Sequence, residues 1–480
     1  MSLGRKIAQV ERLARQLEPS AATRKKVRQE VVDYSEDFLE KLAKGKAYEA
    51  HSDRGLGLLK SPISDKPTPI SKVLKLLKKS VDFPALNPAS GGHLGYIPGG
   101  GVYYAALGDY MADVTNRYAG VFYAGPGAVR MENMLIRWVA GLVGYPISAG
   151  GNLTSGGSIA NLIGICTARD AKGVTADRVK RSVIYLTRQA HHSVEKAIRI
   201  AGLKECIHRY VPMDESYRMD AGELKNLIEA DMRNQLTPFL LVGSAGTTDT
   251  GSVDPLLEIG ALARKHGLWF HVDAAYGGFF VLTREGKSKL KGMELSDSLV
   301  IDPHKGLFLP YGVGVVLVRN QKAMNATHYY QANYMQDALE AMEEPSPADL
   351  SPELTKHFRG LRMWLPLKLL GVRPFRACLE EKMLLAKYFH AEVQKLGFET
   401  GPPPELSVVT YRYVPSKGSA DLFNKKLLKA VQEDGRVFIS STLLNGQFIL
   451  RFACLSFRTH RETVDTLLSV LQREVKRLTR

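Results

Sequence analysis

The chain has 480 residues, enough for two or three packed cores rather than one. Its 45% hydrophobic content is ordinary for a globular protein, and no apolar run approaches the roughly 18 residues that a membrane helix needs. Lys and Arg outnumber Asp and Glu by 65 to 49, a net charge of +16 that raises the question of a nucleic-acid partner.

The N-terminus bears on that question, because positions 1–80 hold 18 basic against 10 acidic residues. This arm has no zinc-finger spacing, no RNP-like aromatic motif and no low-complexity basic tract. A solvated helical face therefore accounts for the charge, and no nucleic-acid partner is expected. The arm also lacks the apolar core of an export signal. Val27, Val31, Tyr34, Phe38 and Leu42 recur at helical spacing and predict an amphipathic helix. Pro62, Pro67 and Pro69 break that pattern, and Val73 to Leu77 opens a short basic helix.

Residues 87–104, NPASGGHLGYIPGGGVYY, hold six glycines and predict an irregular segment of sharp turns and close backbone approach. From about residue 150 to 300 the chain alternates strand-length apolar runs with helix-length segments, the rhythm of a mostly parallel sheet covered on both faces. Ligands of such sheets bind beyond the carboxyl ends of the strands. In GGNLTSGGSIANLIGICTAR, residues 150–169, small residues precede a helical run. Backbone N–H groups at a helix start, with a serine hydroxyl, form a ready phosphate cradle, although most glycine-rich turns bind nothing. In SVIYLTRQAHHSVE, residues 182–195, a strand runs into a turn carrying His191 and His192. Adjacent turn positions do not converge on one ion, and no second cluster has metal-ligand spacing, so no metal is expected. FLLVGSAGTTDTGSVDP, residues 239–255, is again a strand, a glycine turn and a helix start.

LWFHVDAAYGGFF, from Leu268, delivers Asp273 at a strand end. The apolar run Ser298 to Ile301 ends at Asp302-Pro303-His304-Lys305-Gly306. A carboxylate and a lysine at neighbouring strand ends are the minimum kit for pyridoxal 5'-phosphate (PLP). The amine condenses with the aldehyde, and the carboxylate keeps the pyridine nitrogen protonated. Either residue alone reads more simply as a turn or surface residue. Gly312 to Val318 is a further buried strand, and residues 325–352 are polar and proline-interrupted, a candidate lid. His357 to Leu370 is helix-like. Beyond it, Ser407 to Val414, Val437 to Ser441 and Phe448 to Cys454 predict strands, and 420–434 and 461–478 helices, the last opened by a Thr459-x-x-Glu462 capping box. Arg451 falls on the last strand, at the edge of the site or in an interface ion pair. Cys166, Cys206, Cys378 and Cys454 form no CxxC pair and fit reduced thiols of a cytoplasmic protein.

HVDAAYGG followed by DPHK, with the ordered motifs before it, resembles the group II PLP-dependent amino acid decarboxylases, which include the aromatic-L-amino-acid and glutamate decarboxylases. The resemblance spans roughly residues 85 to 460. It implies an α/β chain of the PLP-dependent type I (aspartate aminotransferase-like) fold, with a mostly parallel seven-stranded large domain and a small C-terminal α/β domain. The expected division is a helical dimerisation arm at 1–102, the PLP-binding domain at 103–372 and the small domain at 373–480, assembled as a homodimer with the active site at the interface. It also implies the site. Lys305 and Asp273 hold the cofactor, His191 stacks on its ring, Gly157 and Ser158 take the phosphate, and Thr247, Ala275, Asp302 and His304 complete the binding set. Tyr96, Ile97 and Pro98 line the substrate side. Tyr334, in a Tyr-Met-Gln-Asp lid motif, is tied to protonating the carbanion, and relatives with Phe there form aldehydes. The chain departs from the aromatic members at Gly120 and Gly306, where bulky residues, Trp at the latter, are common.

The expected reaction is decarboxylation of an L-amino acid, aromatic or otherwise hydrophobic. The alternatives are another type I chemistry, either a carbon–carbon lyase resembling sphingosine-phosphate lyase or an aldehyde synthase, and decarboxylation of an acidic amino acid.

Overall fold

A computed structural model of the chain describes residues 2–50, 53–330 and 343–480. The N-terminal region is helical. Leu3–Ala14 leaves Leu3, Ile7, Val10 and Leu13 exposed along one face. Ala21–Lys41 is the predicted amphipathic helix, begun by Ser20, whose hydroxyl accepts the Thr23 N–H. The basic helix runs over Ile70–Leu77. A two-residue ladder pairs β1 (Tyr48–Glu49) with β2 (Ala85–Leu86).

Seven strands form the central sheet: β3 (Gly150–Thr154), β4 (Ser182–Leu186), β5 (Ile207–Tyr210), β6 (Thr237–Ser244), β7 (Trp269–Asp273), β8 (Ser298–Ile301) and β9 (Gly314–Val318). Their order is β3-β9-β8-β7-β6-β4-β5, and β9 alone runs against its neighbours. The sheet is therefore mostly parallel, as the alternating pattern predicts, and seven-stranded, as the family resemblance implies. β3, β4, β7, β8 and β9 are buried at every position, which explains the apolar runs within β4, β8 and β9.

A second sheet, β10 (Phe398–Thr400), β11 (Val408–Tyr413), β12 (Ser440–Leu444) and β13 (Gln447–Ala453), has the order β10-β11-β13-β12 and is wholly antiparallel. It packs with the helices Arg373–Lys395, Ala420–Asp434 and Arg461–Leu478 around Phe389, Tyr411 and Phe452. Two local readings are corrected here. The strand expected from Val437 starts at Ser440 and runs to Leu444, where Asn445-Gly446 turns the hairpin. The last helix is not opened by a Thr459 capping box. Its N-cap is His460, and the Thr459 hydroxyl instead donates to the Gly91 carbonyl at 2.6 Å, tying the glycine-rich segment down.

That segment has no helix before Tyr103. A side chain at Gly99 would lie 2.2 Å from the His304 carbonyl oxygen, so the segment passes directly against the turn that carries Lys305. Both departure glycines are filled from within the chain. A β-carbon at Gly306 would sit 2.6 Å from Phe279 Cβ, and one at Gly120 would sit 2.4 Å from the Leu354 carbonyl oxygen. Neither glycine opens space for a substrate.

Candidate active site

The parallel strands end on one side of the sheet, and a cavity of about 440 Å³ opens there. β3 leads through Ser155 and Gly156 into the helix Gly157–Ala171. Gly156 has φ +148°, a conformation that favours glycine, and the following N–H groups face the cavity at the helix start. A β-carbon at Gly157 would come 3.0 Å from Asp302 Oδ2 and 3.4 Å from Ala275 Cβ, so only glycine leaves this cradle open.

β4 leads to His191, the N-cap of the helix His192–Ile200. Its Nδ1 accepts the Ser193 N–H at 3.3 Å and lies 2.7 Å from Ser193 Oγ. Burial pushes the His191 imidazole below its usual pKa, partly offset by Asp273. His192 is exposed, lies tilted against His191 with ring centroids 4.0 Å apart, and does not line the cavity. After β6, the Thr247 hydroxyl lies 2.7 Å from that of Thr250. Asp273 ends β7. Its Oδ1 accepts the Ala275 N–H at 3.1 Å, and its Oδ2 accepts the Asn161 amide at 3.1 Å.

Asp302 follows β8 and is the N-cap of the helical turn Pro303–Gly306. Lys305 Nζ is 3.2 Å from Asp302 Oδ2, whereas the buried Asp302 Oδ1 meets no protein donor among the described residues. His304 Nδ1 lies 2.6 Å from the Val313 carbonyl oxygen, which fixes its ring, and burial lowers its pKa.

Gly157, Ser158, His191, Thr247, Asp273, Ala275, Asp302, His304 and Lys305 all line this one cavity. Tyr96, Ile97 and Pro98 are not among its lining residues. Tyr96 donates its N–H to Ser440 Oγ and packs its ring on Phe438, Ile97 packs against the main core, and Pro98 is buried. Tyr334 lies outside the described residues. Of the lid segment, 343–350 is held firmly. Glu344 pairs with Arg137 at 3.0 Å, Ser346 Oγ accepts the Phe122 N–H, and the Pro347 carbonyl accepts from Asn152.

Sequence reading missed several wall residues, among them Asn161, Gln189, Ser193 and Tyr311. Asn161 left one signal, a polar residue on the apolar side of a helix, four positions after Gly157. Arg451 is 3% exposed and makes no ion pair among the described residues. It donates to the carbonyls of Thr248 and Asp249 and to Ser440 Oγ, bracing the Thr247–Asp249 turn from the second sheet. No group of three His, Cys, Asp or Glu among the described residues is placed to hold a metal.

The walls fit PLP. They offer a lysine amine, a buried carboxylate, an imidazole and a helix start at a glycine. Residues 60–414 match the pyridoxal-dependent decarboxylase conserved domain. The chain belongs to this family. It is a PLP-dependent carboxy-lyase. It is 34% identical over 386 residues to an aromatic-L-amino-acid decarboxylase of Bacillus atrophaeus, covering 79% of each chain. It is 27% identical to a phenylacetaldehyde synthase of Arabidopsis thaliana, covering 88% of this chain and 89% of that one. The fold is similar to that of an Oryza sativa TDC solved with PLP and tryptamine. The TM-score is 0.91 and the identity 24%, with 96% of this chain and 99% of the other covered. No helix among the described residues is long and apolar enough to cross a membrane.

Proposed function

We propose that the enzyme decarboxylates an L-amino acid with an aromatic or other hydrophobic side chain, releasing the amine and carbon dioxide. The observation that carries this reading is the convergence of Lys305, Asp273 and His191 on one cavity beside the glycine cradle. The aromatic-L-amino-acid decarboxylase among its relatives supports the substrate class.

In this reading Lys305 Nζ would hold the cofactor through its aldehyde. The N–H groups of Gly157 and Ser158 would hold the phosphate, and Thr247, Ala275, Asp302 and His304 would complete the binding set. Asp273 keeps a proton on the ring nitrogen. PLP, when bound, supplies an electron-poor ring that accepts the electron pair left as carbon dioxide departs. The protein's task is alignment: it holds the α-carboxylate so that this bond, and no other, overlaps the ring. His191 or Tyr334 then returns a proton to the α-carbon. Tyr96, Ile97 and Pro98 would border the substrate from the neighbouring segment.

The same reading divides the chain near residues 102 and 372 and makes it a cytoplasmic homodimer. The apolar face of Leu3–Ala14 and the exposed Tyr110, Met111 and Val114 of helix Tyr103–Thr115 supply surface for a second copy.

A second reading, oxidative aldehyde formation, is favoured by the phenylacetaldehyde synthase relative. Against it stands Tyr334, where the aldehyde-forming relatives carry Phe. Titrating purified protein with PLP tests the site. The absorbance of lysine-bound cofactor should appear in the wild type and be lost in Lys305→Ala. A spectrum unaltered by that substitution would remove Lys305 from the mechanism.

A further inference from the structure

A chain of buried hydrogen bonds crosses the sheet beneath the cavity, and its direction is fixed at both ends. Trp269 Nε1–H can only donate, and it does so to Ser298 Oγ at 2.8 Å. Ser298 Oγ also lies 2.7 Å from His271 Nδ1 and can donate its proton to that nitrogen. His271 Nε2 lies 2.8 Å from Asn161 Oδ1, an acceptor, so Nε2 carries the proton of the neutral ring. Burial, which pushes the His271 pKa down, keeps that ring neutral.

The amide of Asn161 is thereby oriented, with both its N–H bonds on the cavity side. One goes to Asp273 Oδ2 at 3.1 Å, an acceptor, which agrees independently with this orientation. The other goes to Ser193 Oγ at 3.0 Å. The Ser193 backbone N–H, which can only donate, points at His191 Nδ1. That nitrogen therefore accepts, and the Ser193 hydroxyl, 2.7 Å away, donates to it as well.

We infer that Asn161 is a positioning residue that fixes His191 as the neutral tautomer protonated on Nε2, while anchoring Asp273 through the same amide. His191 then presents an N–H donor rather than a lone pair to whatever occupies the cavity. In the reaction it offers a hydrogen bond, or a proton, to the substrate and does not start as a base. Asn161 is 0% exposed and joins the carboxylate to the imidazole, so the two cannot shift separately. The meaning of this donor rests on the decarboxylase reading, but the tautomer itself does not.

The test is nitrogen-15 NMR of the histidine-labelled holoenzyme, with His191 assigned by the loss of its signals in His191→Gln. Around neutral pH, wild-type His191 should show a protonated Nε2 and an unprotonated Nδ1. A proton on Nδ1, or an imidazolium, would overturn the inference whether or not the enzyme releases carbon dioxide. Asn161→Leu should admit the second tautomer and lower kcat by about tenfold or more, with a smaller change in KM. A folded Asn161→Leu protein with wild-type tautomer and kcat would remove Asn161 from this role. If that variant does not fold, Ser193→Ala removes one of the two donors to Nδ1, leaving the backbone N–H, and should raise the fraction of the second tautomer. An unmixed His191 signal there would count equally against it.

Discussion

Asp302 Oδ2 lies 3.2 Å from Lys305 Nζ, while the other oxygen of the same carboxylate is buried beside the glycine cradle without a protein donor among the described residues. One residue thus steadies the reactive amine and places negative charge where a phosphate is proposed to bind. At a few ångströms and an intermediate dielectric, like charges repel by several kcal/mol. Asp302→Asn is therefore expected to bind PLP and inorganic phosphate about tenfold more tightly, measured by equilibrium titration. Weaker binding would mean that the carboxyl group contacts the phosphate favourably.

The glycine at 306 is a packing position. A β-carbon there would lie 2.6 Å from Phe279 Cβ, inside a filled core. Gly306→Ala should cost about 1–3 kcal/mol of stability by overpacking, seen as a lowered denaturation midpoint, with no gain of activity on larger substrates. A stable variant with altered substrate preference would place this residue at the substrate after all.

Lys356 and Glu132 form a wholly buried ion pair at 2.7 Å, completed by Asn152 Oδ1 and the Gly360 N–H. It joins helix Pro126–Val143 and β3 to the stretch leading into helix Gly360–Leu370. Lys356→Met leaves a buried carboxylate unpaired and should cost about 3–5 kcal/mol in chemical denaturation. Replacing both partners with apolar residues should recover part of that loss.

His93 is 2% exposed, and burial pushes its pKa down from 6.5 to about 4, partly offset by the Pro88 carbonyl. The folded state therefore favours the neutral ring, and the unfolded chain binds the proton more readily. The stability contributed is fully present above about pH 6.5 and is lost as pH falls towards 4, by roughly 3 kcal/mol in all. Denaturant titrations across that range should show the loss, and His93→Phe should flatten this part of the profile. An unchanged slope would assign the acid sensitivity elsewhere.

The parts of this protein that could be read in advance are those governed by local pattern. Apolar runs fully buried in β4, β7 and β8 are recognisable because both faces of a parallel sheet are covered, and Asp273 and Lys305 follow such runs directly. Gly157 was singled out through the family resemblance rather than by local pattern, and it lines the cavity. What escaped was set by contacts distant in sequence. Asn161 acts through β7 and Ser193. Arg451 reaches carbonyls some 200 positions earlier, so its partners have no local signature. Thr459 has the chemistry of a cap, yet its hydroxyl is taken by Gly91, a competition that local spacing cannot reveal.

The central claim is the reaction. The direct measurement is to load the enzyme with PLP, offer L-amino acids of aromatic, aliphatic and acidic classes in turn, and quantify carbon dioxide, amine, aldehyde and ammonia together. The account predicts equal amounts of amine and carbon dioxide from an aromatic or other hydrophobic amino acid, abolished in Lys305→Ala. Aldehyde with ammonia in place of amine, or PLP-loaded protein that releases no carbon dioxide from any class, would contradict it.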